Sequence, residues 1–336
     1  MSRRNVAFAL ALLLWPAAGF ANDSTAFQAT TGIELTTTPD IRMVSEELFV
    51  SPQEIRVAYV FRNLGAKPVE TLVAFPFPDL DLKPGLTASN WQFPVDQPNF
   101  LGFKVWIDDR PVTPTLERRA FVDGKEVTRE LEQTGALDVL APWAAVGGYD
   151  AQVNKLPPGA IERLRAAGLV QQGDDNDNPQ WTLRSRYYWR QTFPPGVDVR
   201  VRHVYKPFVG GALTDRPSTI DGRRVVGRYL GSESTPTGDR YCIDAATRRA
   251  LAKLEQHPPD EVWDYGATEL DYILTTARNW RGPIGRFHLT IDKGDPKGIL
   301  SLCWSGLKKT GPTVFESTLT DFVPDRDIRL VIFGAN

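Results

Sequence analysis

Histidine and sulfur are scarce in this chain: three His, two Cys and two Met occur among 336 residues. His203, His257 and His288 are far apart, so no short multi-histidine metal motif exists. His203 continues the inward alternation of a strand and reads as a hydrogen-bonded core or boundary residue. His257 precedes Pro258 and Pro259 at a helix end, where a cation complements the dipole. His288 falls on the polar side of a strand. The chain also lacks a G-x-S-x-G elbow, an H-E-x-x-H pair, a G-x-x-x-x-G-K-[ST] loop and a Rossmann glycine pattern. No cofactor or metal is expected. Glycosidase carboxylates come from distant positions and leave no short signature, so a carboxylate-dependent envelope hydrolase stays open.

Long apolar runs are missing as well. The best is VAFALALLLW, too short to span a bilayer. It follows Arg3 and Arg4 and runs through PAAGFA into polar NDST, the pattern of a secretory signal peptide over residues 1–21 with cleavage after Ala21. An uncleaved anchor is the alternative. No Cys stands at the junction to carry a lipid. The expectation is a periplasmic or secreted protein, Asn22–Asn336, with no membrane span. Removing Arg3 and Arg4 leaves 37 of the 39 basic residues against 41 acidic ones, a net charge of −4. That balance argues against nucleic-acid binding, which needs a positive field to displace counterions.

In an oxidising compartment an isolated cysteine pair reads as one disulfide, Cys242–Cys303. The alternative, Cys303 as a nucleophile with His288 as base, requires a free thiol there.

The chain is rich in period-two alternation. In EIRVAYVFRN, residues Ile55, Val57, Tyr59 and Phe61 share one face. After LGAKP, residues Val69, Thr71, Val73 and Phe75 resume the pattern, which predicts an antiparallel hairpin. Pro76 and Pro78 lack the ladder donor, so FPFP ends that strand or holds it to an edge and steers the chain into a crossover. NFLGFKVWIDDRPVTP predicts another strand with a DDRP turn. LEQTGALDVLAPW is ambiguous. LPPGAIERLRAAGLV is a short helix with Gly168 at C′. The helix DAATRRALAKLEQHPPD has Asp244 as N-cap.

WTLRSRYYWRQTFPPGVDVRVRHVYKP reads as a second hairpin. Its inner face holds Trp181, Leu183, Tyr187 and Trp189 on one strand and Val197, Val199, Val201, His203 and Tyr205 on the other. Its outer face gathers Arg184, Arg186, Tyr188, Arg190, Arg200 and Arg202. Like charges so close across a ladder call for something negative above them. Carboxylates from neighbouring segments would serve. The sharper alternative is an anionic ligand held by bidentate guanidinium contacts: an envelope glycan, a lipid headgroup or a protein partner. The acidic run Asp174–Asn178 fails the calcium-loop pattern, because the sixth position is Pro179 and the twelfth Ser185.

Seven segments, ANDSTA, DIRMVSEELFVSPQEIRVAYVFRN, VAFPFPDLDL, YYWRQTFPPGVDVRVRHVYKPFVGG, YCID, YILTTARNWRGPIGRFHLTIDKGDP and TDFVPDRDI, occur in an order that resembles the exported bacterial family called domain of unknown function 4424. TTGIEL departs where the family tends to carry a double glycine. The resemblance covers almost all of the mature chain, implies a shared fold and exported location, and assigns no activity. VETLVAFPFP and PPGVDVRVRHVYKP also resemble the vault/inter-alpha-trypsin β-sandwich, as fold analogy.

The reading is therefore mainly β: an antiparallel sandwich over residues 22–130, a helical insertion and polar loop over 131–180, and a second β region over 181–336 with one short helix and the disulfide. A non-catalytic binding or assembly module for an envelope component is the favoured function.

Overall fold

The structure, a computed structural model, describes residues 23–29, 32–83, 99–140, 153–172, 177–207, 209–213, 218–220, 223–225, 240–254 and 265–335. The expected signal peptide, His257 with its prolines, and residues 174–176 of the acidic run lie outside them.

The strands begin with β1 (Ser24–Ala29), β2 (Gly32–Thr36), β3 (Ile41–Val50), β4 (Ile55–Asn63), β5 (Val69–Pro76) and β6 (Leu80–Asp81). Next come β7 (Lys104–Ile107), β8 (Arg110–Val112), β9 (Thr115–Val122) and β10 (Lys125–Glu126). The ambiguous LEQTGALDVL segment is helical, split into α1 (Thr128–Thr134) and α2 (Ala136–Val139) by Gly135 at φ 72°. Helix α3 (Ala160–Ala166) precedes β11 (Val170–Gln172) and β12 (Asp177–Pro179). The long strands β13 (Thr182–Phe193) and β14 (Asp198–Tyr205) follow, then β15 (Gly210–Leu213), β16 (Ser218–Ile220), β17 (Arg223–Val225) and α4 (Ala245–Leu254). The last strands are β18 (Tyr265–Tyr272), β19 (Ile284–Asp292), β20 (Ile299–Leu302), β21 (Lys308–Lys309), β22 (Val314–Phe322) and β23 (Ile328–Ala335).

Two large sheets face each other. One runs β10-β9-β13-β5-β1-β2, with β6 also paired to β13; the other runs β21-β22-β19-β3-β4-β14-β7-β8. A four-stranded sheet, β15-β18-β23-β20, contributes Leu270, Tyr272, Leu330 and Ile332 to the same continuous core. Among the described strands every pairing is antiparallel except β3 with β19. The fold is thus a β-rich, mainly antiparallel sandwich. The eight-stranded sheet takes β3, β4, β7 and β8 from before the helical segment and β14, β19, β21 and β22 from after it.

Both expected hairpins are absent, and this is the main correction to the sequence reading. Strand β4 pairs with β3 and β14, whereas β5 pairs with β1 and β13. Likewise β13 pairs with β5 and β9, whereas β14 pairs with β4 and β7. Each loop is an arch that carries the chain from one sheet to the other. The inward faces hold with one exception: Tyr59, Phe61, Trp189, Val199 and Val201 are all buried, whereas Val197, just before β14, is exposed. Phe61 meets Phe193 and Phe75 meets His203 across the layer, with ring centroids 5.9 and 5.0 Å apart.

FPFP also behaves differently from a crossover. Strand β5 ends at Pro76, but the Phe77 amide still donates to the Ser185 carbonyl at 3.0 Å, and pairing with β13 resumes at Leu80. Phe75 and Phe77 are both buried, so the two prolines interrupt the ladder while the aromatic residues keep the chain seated.

Smaller expectations hold. The Asp108–Asp109 turn between β7 and β8 has positive φ at both residues. Gly168 ends α3 at φ 69°, with its amide on the Arg165 carbonyl and that of Leu169 on the Leu164 carbonyl. Asp244 Oδ1 accepts the Thr247 amide at 2.7 Å and caps α4. Cys242 and Cys303 are disulfide-bonded, with Cα atoms 5.0 Å apart.

Candidate functional site

The six residues expected to form one contact face are divided between two sheets. Arg184, Arg186, Tyr188 and Arg190 lie on β13; Arg200 and Arg202 lie on β14, in the opposite sheet. Inward residues of the two strands meet in the core, so their outward residues point away from each other. Arg184 forms a two-pronged contact with Asp79 at 3.2 and 3.0 Å. Arg186 is buried beside Glu117, and Glu117 also accepts the Ile33 amide. Tyr188 packs on the small apolar cluster of Ala26, Ile33, Leu72 and Ala74, beneath the β1–β2 hairpin. Arg190 lies 3.8 Å from Glu70 at the surface. On β13, neighbouring carboxylates therefore provide the negative charge.

On the eight-stranded sheet the outward side chains form a different arrangement. One cross-strand rung reads Trp106, Arg202, Ala58, Glu47, His288 and Thr318. The next reads Lys104, Val204, Arg56, Phe49, Thr290 and Glu316. Strand alternation puts all twelve on the outer face. Ala58 is the smallest of them, and around it opens a groove of about 500 Å³ lined by Glu47, Phe49, Arg56, Arg202 and His288. That volume suits a small ligand or one group of a larger one.

Two guanidinium groups are fixed at the groove by aromatic rings. Arg56 lies over Phe49, 4.0 Å from the ring centroid, and Arg202 over Trp106 at 5.0 Å. Each makes one single-point contact with an exposed carboxylate: Arg56 Nη1 donates to Glu54 at 3.1 Å and Arg202 Nη2 to Asp109 at 3.3 Å. On the far wall Glu47, the only carboxylate among the lining residues, accepts from Arg286 Nη1 at 2.5 Å. His288 Nδ1 bonds Thr318 Oγ1 at 2.8 Å, and its Nε2 bonds Thr290 Oγ1 at 3.3 Å. The groove thus offers two cations, one neutralised acid and a polar wall.

Of these residues, Arg202 was singled out in the sequence and His288 was placed on a polar face. Arg56, Phe49 and Trp106 were missed. Alternation already put Arg56 and Ala58 outward; the neighbour order β19-β3-β4-β14-β7 had no sequence signal.

A second polar constellation is enclosed in the core. Asp23 Oδ1 lies 3.5 Å from His203 Nε2, and both side chains are fully buried. Tyr59 and Tyr272 share a hydroxyl contact at 3.2 Å, and Tyr272 donates to Glu46 at 3.4 Å. Trp280 Nε1 donates to the Asp23 carbonyl and Asn279 Nδ2 to Ser24 Oγ, each at 2.7 Å. Burial drives the His203 imidazole down to about 3. Burial, reinforced by the Glu46 charge, holds the Asp23 carboxyl above the usual carboxylate range. The pair is a neutral acid beside a neutral ring. The pair is enclosed among Tyr59, Phe75, Phe103 and Trp189, and the Trp280 and Asn279 bonds pin the chain at Asp23–Ser24 to the core.

Among the described residues no group of three or more His, Cys, Asp and Glu is arranged to hold a metal ion, and no helix is long and apolar enough to cross a membrane. Asp177, from the acidic run, is engaged by Arg165 through two contacts of 3.0 and 2.6 Å.

Fold and surface together define a β-sandwich protein with an open, arginine-bearing groove on one sheet. The chain belongs to the family described as Domain of unknown function (DUF4424), whose model matches residues 21–331. No curated protein matches it. Among solved structures it is similar to a Legionella pneumophila protein described as a "putative nutrient binding protein", with 15% identity and a TM-score of 0.44 over 94% of this chain and 71% of the other. A likeness of that degree assigns neither fold nor ligand here.

Proposed function

We propose that this protein is a non-catalytic binding module of the cell envelope, exported by a signal peptide ending near Ala21. The observation carrying the reading is the pair of ring-stacked guanidinium groups, Arg56 and Arg202, at the mouth of an open groove. The disulfide Cys242–Cys303 fits an oxidising compartment. The partner is an anionic envelope component: a glycan, a lipid headgroup or an acidic protein surface.

A shallow groove with one neutralised acid suits holding a ligand better than cleaving it, because glycoside cleavage requires two carboxyl groups about 5–10 Å apart across the bond. The test is retention of solubilised envelope material on immobilised mature protein, compared with an Arg56→Glu/Arg202→Glu variant of equal thermal stability. Material that remains unaltered and is lost in the variant supports the reading. Equal retention, or conversion of the retained material into smaller products, overturns it.

A further inference from the structure

We infer that the groove takes a phosphoryl group, held between Arg56 and Arg202; this rests on the binding-module reading of the same surface. Arg202 stands opposite Ala58, and Arg56 opposite Val204, on adjacent antiparallel strands. The two arginines are therefore diagonal neighbours on one face, about 7–8 Å apart at the backbone. Their guanidinium groups are laid toward the flanking strands, Arg56 over Phe49 of β3 and Arg202 over Trp106 of β7, so that a shared anion over Ala58 draws both inward. A tetrahedral oxyanion has oxygens on several sides and accepts from guanidinium groups converging from two directions. A planar carboxylate is matched by one fork alone. Ala58 and Val204 complete the square between them, and neither side chain carries a polar group that competes for the anion.

The existing partners do not use up these cations. Each guanidinium spends one nitrogen on a carboxylate, Arg56 on Glu54 and Arg202 on Asp109. Those carboxylate side chains are 40% and 85% exposed. Exposed one-point contacts of this kind are weak and yield readily to a stronger acceptor. Nε and the second Nη of each arginine bond no other protein group among the described residues. The ring contacts with Phe49 and Trp106 cover one side of each guanidinium and leave N–H groups for a ligand. Arg184 is the contrasting case, because Asp79 already takes both prongs of its fork. The one acid of the groove, Glu47, is paired with Arg286, which offsets part of its repulsion of an incoming anion.

The phosphoryl group can belong to a soluble sugar phosphate or to a lipid headgroup, and the experiment separates the two. Mature protein is titrated with inorganic phosphate and with glucose 1-phosphate, and separately with phosphatidylglycerol vesicles, using glucose as the neutral control. The expected result is saturable binding to at least one phosphate source, weakened about tenfold by Arg56→Gln or Arg202→Gln and abolished in the double variant. Arg184→Gln should bind as wild type does even though it gives up the Asp79 contact, and the Arg56 and Arg202 variants should melt with the wild-type transition. Binding of the soluble phosphates assigns a sugar or free phosphate; binding of vesicles alone assigns a headgroup. Undiminished binding in the double variant, or none to any phosphate source, overturns the inference. If envelope material is still retained in an arginine-dependent way while every phosphate source fails, the ligand assignment falls and the binding-module reading stands. Loss of both removes both.

Discussion

Asn63 and Phe193, 130 residues apart in sequence, are joined by a hydrogen bond: Asn63 Nδ2 donates to the Phe193 carbonyl at 2.8 Å. The same amide nitrogen donates to the Lys67 carbonyl at 2.8 Å, and Oδ1 accepts the Gly65 amide at 2.8 Å. The Asn63 carbonyl in turn accepts the Gly196 amide. One fully buried side chain therefore ties together both arches by which the chain crosses between the large sheets.

Asn63→Ala would strand the Lys67 and Phe193 carbonyls without their donor. The expected loss is about 2–4 kcal/mol, read from denaturant midpoints with unchanged m. Asn63→Asp should be no better, because it turns an acceptor oxygen toward two carbonyls. An alanine variant within about 0.5 kcal/mol of wild type would show that the arches hold themselves.

Those arches also mark where the sequence ceased to be legible. Alternation in EIRVAYVF and in RSRYYWRQTF gave the correct inward sets, because the period of two follows from backbone geometry whatever strand lies alongside. It carries no information about the partner. A tight hairpin and an arch both join two alternating strands through a few polar or proline-containing residues. What separates them is a long-range contact, here the amide of Asn63. The groove was hidden for the same reason. Arg56 and Arg202 are 146 positions apart and meet only because β4 and β14 pair. Local devices such as Asp244 and Gly168 were legible because their partners lie within one helical turn.

Gly285 has a different kind of constraint. It opens β19 where β3 bulges between Met43 and Ser45. A Cβ on Gly285 would sit 2.5 Å from the Val44 carbonyl oxygen, a backbone atom that cannot swing aside. Gly285→Ala should cost about 1–3 kcal/mol and loosen the parallel β3–β19 pairing, seen as faster amide exchange along Arg286–Ile291. Gly306→Ala is the comparison: its φ is 76° but nothing lies within 4 Å, so about 1 kcal/mol of backbone strain is expected and no change at β19. Wild-type exchange in the Gly285 variant would mean that the bulge relaxes freely.

The enclosed pair Asp23 and His203 sets two opposing pH dependences. An unfolded imidazole takes up a proton below its ordinary value of 6.5, which folded His203 refuses until about pH 3. On its own that makes stability fall as pH drops through this window, by about 1.4 kcal/mol per unit. Asp23 acts in the other direction. Its folded carboxyl keeps a proton that the unfolded one releases above 3.8, so alone it makes stability fall as pH rises from 3.8 to the elevated folded value. In the wild type one slope masks the other. Asp23→Asn should expose the histidine limb, its own stability falling by about 2–3 kcal/mol from pH 7 to pH 4.5 while that of wild type changes less. His203→Phe, a neutral ring among Tyr59, Phe75, Phe103 and Trp189, should expose the carboxyl limb and be relatively more stable at pH 4.5 than at pH 7. Glu46, Tyr59, Tyr205 and Tyr272 are buried alongside in all three proteins, so each variant is compared with wild type at the same pH. Denaturant midpoints that run parallel for the three chains from pH 4.5 to pH 7 would mean that neither group changes its proton affinity on folding, and would remove both limbs.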